Sequence, residues 1–163
     1  MAFDGFLFVD KVKGECKDEG KSKLGGHKDW IDVMSFMYSV NQSQSVDTGG
    51  GLSAGKATLG DFTFTQKYHK GSPTLWVYCA TGEHIKEVKF ECRKSQGNEQ
   101  FIYLTLIFKD CIVTSIQTSG GGDNEIPDET VGMAYTEVKF NYYEQGTGAT
   151  SDAGYNRKTN KKV

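Results

Sequence analysis

Proline is nearly absent from this chain, long apolar runs are absent altogether, and neither sign of charge dominates. Only Pro73 and Pro127 occur among 163 residues, against 20 glycines. Turns must therefore be made mostly by glycine, which suits an all-β chain. No apolar run approaches the ~20 residues that a membrane-spanning helix needs. The start, MAFDGFLFVDKVKG, lacks a basic opening, a continuous apolar core and a small-residue cleavage site, so it does not read as a secretory signal peptide. The expectation is synthesis in the cytoplasm and, for any export, a route without a cleaved leader. A net charge of −2 excludes a field strong enough to argue for nucleic acid or an anionic membrane as partner.

Cysteine and histidine are equally uninformative about chemistry. Cys16, Cys79, Cys92 and Cys111 contain no C-x-x-C, and His27, His69 and His84 are scattered. Nothing in that spacing predicts a metal site, and no cofactor is expected. The thiols read as reduced, with Cys92 and Cys111 as small apolar core residues.

What is present is strand. The chain has 37% hydrophobic and 25% charged residues, a globular balance, and its length suits one domain that buries about 70% of its unfolded surface. Phe3, Phe6, Leu7, Phe8 and Val9 predict a first strand, and Lys11 to Asp29, with glycines at 14, 20, 25 and 26, a long connection. Trp30 to Tyr38 predicts a second strand, with Trp30, Met34, Phe36 and Tyr38 on one face and Ile31, Val33, Ser35 and Met37 on the other. Both faces are largely apolar, so both need cover or one meets another subunit. Further strands fall at Phe62 to Tyr68, around Val88 to Cys92, at Phe101 to Phe108, at Cys111 to Thr118 after an interruption at Asp110, and at Val131 to Glu144.

The stretch from Gly49 to Ile85 organises the rest. Gly50-Gly51-Leu52-Ser53-Ala54-Gly55-Lys56 matches the phosphate-loop pattern G-x-x-x-x-G-K. That motif also needs a buried strand before it, a helix after it and a hydroxyl following the lysine. Here Ala57 holds the hydroxyl position, NQSQSVDT precedes and the alternating DFTFT follows, so the nucleotide reading fails. Residues 41–60 read instead as a long loop, a kind usually functional or disordered in compact domains. Ser72-Pro73 predicts an N-cap and first helical position, and Gly82 a left-handed stop, with Leu75, Tyr78 and Cys79 on one face. Alternation in TLWVYC also fits a strand; the caps favour the helix. Gly146 to Val163 reads as a tail that is solvated or docks on a neighbour. The fold class is therefore mainly β, a small barrel or two-sheet sandwich with one short helix, and its spare apolar faces and strand edges invite assembly.

MAFDGFL…KVKGE, IDVMSF, GGG…AGKA, DFTFT, SPTL…CATGEHI, RKSQG, YLTL and a closing GYN occur in this order along the chain. In that order and spacing the chain resembles the Hcp family, tube proteins of bacterial type VI secretion, nearly end to end. The resemblance implies a barrel domain over residues 1–145, with the tail at 146–163, and six-membered rings that stack into a hollow tube. It also implies a VgrG-like spike, a contractile sheath and small effector proteins as partners, and assembly in the bacterial cytoplasm followed by secretion. By the same resemblance, Gly49, Gly50, Gly51, Leu52, Ser53, Ala54, Gly55 and Lys56 form the loop that reaches an adjoining ring. Ile31, Val33, Ser35 and Met37 then look into the lumen. Relatives often carry Trp-Ser-Trp where this chain has Phe36-Met37-Tyr38, which alters the wall offered to cargo.

Three other readings compete with a secretion tube. A phage tail-tube protein shares the same ring physics and would be told apart by its gene neighbours. An enzyme would need Cys79 and His84 as nucleophile and base, but no third group orients them. A monomeric ligand-binding barrel would need a polar outer face. A self-assembling ring predicts a mass several times 18.0 kDa by light scattering, whereas a monomer at micromolar concentration would contradict it.

Overall fold

The computed structural model describes residues 3–19, 26–47 and 49–163. Met1, Ala2, residues 20–25 of the expected connection and Thr48 of the expected loop lie outside the described residues. Strand β1 (Asp4–Val9) carries Phe6, Leu7 and Val9 into the interior. It lies between β2 (Ile31–Val33) and β7 (His84–Gln96), both antiparallel to it. Next in order come β8 (Glu99–Ser119) and β9 (Asp128–Tyr143). The free side of β9 is shared: β6 (Phe62–Lys67) takes residues 128–133, and β10 (Thr150–Asn156) takes 137–143. Strand β3 (Ser35–Met37) pairs with the other side of β6.

The sheet thereby curls back on itself, because its outer ladders, β1–β2 and β3–β6, fall on consecutive segments of one chain. The seam is crossed at Met34, whose N–H donates to the Thr65 carbonyl at 2.8 Å. Inside the curl Phe62, Phe64, Phe90 and Phe108 are fully buried. Phe62 alone meets the rings of Phe36, Phe64, Phe90 and Phe108, with centroids 4.7–6.3 Å apart.

The helix α1 (Ser72–Thr81) replaces the competing strand reading of the same residues. Gly71 rather than Ser72 caps it, because the Ser72 hydroxyl turns back to accept from the His69 N–H at 3.0 Å. Gly82 ends it as expected, at φ +69°, with its N–H on the Tyr78 carbonyl. Leu75 enters the core, and Tyr78 and Cys79 pack against it.

Three expectations are corrected. Asp110 does not divide two strands; β8 runs through it as Asp110 adopts φ +51° and its neighbours keep their ladders. A short polar side chain makes that conformation tolerable. Residues 41–60 are not an open loop, since β4 (Val40–Asp47) and β5 (Gly51–Leu59) pair along their length. The tail is not free: a turn closed by the Glu144 N–H on the Ala149 carbonyl returns it as β10, and β11 (Lys161–Lys162) pairs with β10 in turn.

The described part of the connection between β1 and β2 is held down by a buried ion network. In its protonated form His27, 2% exposed, donates from Nδ1 to Asp18 (2.8 Å) and from Nε2 to Glu91 (2.7 Å). Phe6 stacks on the imidazole and Trp30 meets it edge-on. Arg93 also binds Asp18, at 2.8 Å, and Lys89 binds Glu91, at 2.7 Å. Burial alone would push the His27 pKa down, but the bonds to Glu91 and Asp18 outweigh it and hold it above the ordinary 6.5. Glu91 is held below 4.5 because its bonds to His27 and Lys89 outweigh the opposing effect of burial.

A raised histidine pKa stabilises the fold fully below its unfolded value, and that contribution is lost as pH rises through the folded one. A depressed carboxylate contributes above its unfolded value and is lost as pH falls. Denaturant unfolding across pH 5–9 is therefore expected to show a decline on the alkaline side in the parent chain. His27→Gln should flatten that decline and lower stability at pH 6 by about 1–3 kcal/mol. An unchanged slope would contradict the assignment.

Candidate assembly surface

The second strand of the sequence carries the expected lumen residues, and it changes phase midway. Ile31 and Val33 are 1% and 4% exposed, in the core, whereas Met37 is 65% exposed. Met34 and Ser35 are both exposed in succession, so the alternation slips by one residue at the bend. The strand bends because it must leave β1 and join β6, and an extra residue at such a crossing reverses the facing of all that follow. Ile31 and Val33 therefore cannot line a lumen, and Ser35 and Met37 remain on an outer face.

The register of the neighbouring strands extends that face. Ser35 stands opposite Thr65, Thr65 opposite Thr130, and Thr130 opposite Gln117. Beside this row runs a second, from Met37 through Thr63 and Gly132 to Ser115. The Ser35 and Thr65 hydroxyls are 2.6 Å apart. At Gly132 a Cβ would stand 2.6 Å from the Ser115 hydroxyl, so any larger residue makes that side chain shift. The result is a wall of small, mostly hydroxyl-bearing residues with no ionisable side chain among the eight. Thr63, Thr65, Ser115, Gln117, Thr130 and Gly132 were missed in the sequence. Their signal was the polar half of each alternating strand, which by itself looks like any solvated face.

The β4–β5 ribbon is the other feature. It pairs only with itself, and both its faces are exposed. Val46 and Leu52, directly opposite each other near the tip, are 74% and 73% exposed. At the base Val40 pairs with Leu59, and the Gly60 N–H donates to the Ser39 carbonyl at 2.8 Å. Gly49 and Gly50 form the turn, and Gly51 to Lys56 lie on β5. Gly49 and Gly51 hold φ +132° and +92°, conformations that glycine alone adopts without strain. A Cβ at Gly49, Gly50 or Gly51 would meet nothing within 4 Å. Gly55 is different, because a Cβ there would collide with the Ser43 hydroxyl, at a register shift in the ladder. Isolated two-stranded ribbons are marginal in water, and this one has open edges and bare apolar side chains near its tip.

The structure does not bring the candidate pair Cys79 and His84 together as nucleophile and base. Cys79 is half-buried against the core, while the His84 Nδ1 binds Asp110 at 2.8 Å. Burial pushes the Cys16 and Cys92 thiols up to about 11 and the Cys111 thiol to about 12, the opposite of an activated nucleophile. Among the described residues no group of three or more His, Cys, Asp or Glu could hold a metal ion. Nor is any helix among them long and apolar enough to cross a membrane.

Comparison with known proteins converges on one family. Residues 6–142 match the model of the family described as type VI secretion system effector, Hcp. The protein hcp1 of Pseudomonas aeruginosa is 34% identical over 154 residues, covering 94% of this chain and 91% of that protein. The crystal structure of Hcp1 from Salmonella typhimurium superposes with a TM-score of 0.79 at 34% identity, covering 100% of both chains. That of a type VI secretion system effector from Yersinia pestis gives 0.73 at 30% identity, covering 94% of this chain and 99% of its own.

Proposed function

Because this chain belongs to the Hcp family, the secreted tube and effector-carrier proteins of the type VI secretion system, we propose that six copies close into a ring with the hydroxyl wall facing the bore and the ribbons reaching the next ring of a stack. The observation that carries this reading is the β4–β5 ribbon. Beyond its base, where Leu59 packs on the core, it exposes Val46 and Leu52 and turns through glycines that leave the backbone bare. A contact between rings gives it the cover that it lacks.

The same reading assigns the barrel, including its returned tail, to one unit. The stack then carries a VgrG-like spike at its end, a contractile sheath around it and small effector proteins within the bore. It is built in the bacterial cytoplasm and then expelled. A conduit of this kind calls for no reaction at any of its sites. Ser35, Met37 and the hydroxyl rows beside them supply hydrogen bonds and one soft apolar contact to cargo, with no fixed charge to repel either sign.

Gly50→Trp adds bulk at the tip without disturbing a left-handed φ. It is expected to abolish stacking and secretion while unfolding free energy changes by less than about 0.5 kcal/mol; a protein that unfolds instead would make the ribbon part of the core. Met37→Lys is expected to cut co-purifying effector by roughly tenfold with ring mass unchanged, as an added charge at a contact surface does. Dissociation of the ring, seen by light scattering, would put Met37 at a subunit boundary.

A further inference from the structure

At the end of β6 away from the ribbon, the barrel interior finishes in polar side chains. Gln66 and Glu129 are 0% and 2% exposed and stand opposite each other. Both carboxyl oxygens of Glu129 accept hydrogen bonds, from Gln66 Nε2 at 3.1 Å and from the Thr118 hydroxyl at 2.8 Å. The Gly71 N–H donates to His69 Nδ1 at 3.0 Å, which leaves His69 Nε2 to donate to Gln66 Oε1 at 3.1 Å. Burial lowers the His69 pKa, so this relay brings no countercharge. The other buried carboxylate, Glu91, has Lys89 and His27. Among the described residues Glu129 has no cation within ion-pair distance.

A buried carboxyl group without a countercharge is costly, and this one borders a cleft. The cleft, of about 280 Å³, is walled by Tyr68, Pro73, Trp76 and Val77. Tyr68, Trp76 and Val77 are exposed despite their apolar surface. Aromatic faces beside a carboxylate make a receptor for an ammonium group.

We propose that this cleft receives Lys56 from the ribbon of a second copy in the adjoining ring, so that the ribbon lies across α1 and its lysine meets Glu129. Lys56 is the only cation in residues 40–59, and among the described residues it forms no ion pair. Topology sets donor and acceptor apart: the ribbon joins β6 at Phe62, whereas the cleft opens beyond Lys67 at its other end. Copies repeated head to tail bring one to the other, a heterologous contact that propagates along an axis instead of closing. The inference rests on the ribbon as the ring-to-ring contact and names the surface it meets.

Sedimentation of the full chain at concentrations where rings associate gives the ring–ring constant. Lys56→Gln, Glu129→Gln and Trp76→Ala are each expected to weaken it about tenfold with ring mass unchanged. The Lys56→Gln/Glu129→Gln double variant should be no weaker than the worse single, because both remove one contact. Trp76 is exposed, so its variant reads out docking even if Glu129→Gln perturbs the fold. An unchanged constant for Trp76→Ala, additive effects of Lys56 and Glu129, or breakage of the ring would overturn the proposal. If Gly50→Trp abolishes association and Trp76→Ala does not, the ribbon contact stands and its receptor lies elsewhere. If Gly50→Trp is without effect, or parent rings never associate, the ribbon reading itself falls.

Discussion

The barrel is full. Phe62 sits where rings from β3, β6, β7 and β8 converge, and no side chain there can be withdrawn without opening a void. A curled sheet filled in this way offers no interior to a ligand, unlike a wide barrel. The two surfaces described above lie on its outer face and on the ribbon that projects from it.

Strand β6 joins these roles. Its inward residues, Phe62, Phe64 and Gln66, run from the aromatic centre to the polar end of the core. Its outward residues, Thr63 and Thr65, stand in the middle of the hydroxyl wall. The ribbon enters at its start and the helix follows its end. Period-two alternation makes this possible, because one six-residue strand can serve core and surface at once. Core, hydroxyl face, ribbon and helix are all reached from this one strand.

Much of this was legible from pattern. The alternating DFTFT, the VKFEC run and the Thr-Gly stop of the helix follow local rules of side-chain facing and backbone conformation, and the structure keeps them, while the helix start falls one residue before the Ser-Pro pair predicts. The ribbon and the tail were not legible, for one shared reason. Both are held by main-chain ladders between segments with no apolar stripe, and a ladder of N–H and C=O groups leaves no trace in side-chain composition. Asp110 was misjudged differently: a charged residue in an apolar run looked like a break. Its carboxylate instead binds His84 and Thr136, and the strand continues through it.

By itself the sequence determined that this is a β-rich family member with one capped helix, because order and spacing of local motifs need no partner to be read. Only the tertiary structure decided which residues face out. Ile31 and Val33 share a nominal face with Ser35 and Met37, yet the strand must leave β1 and join β6, and the bend at Met34 sends the first pair into the core and the second to the surface. Facing in a strand is counted from its neighbours, and neighbours are fixed only when the sheet has curled.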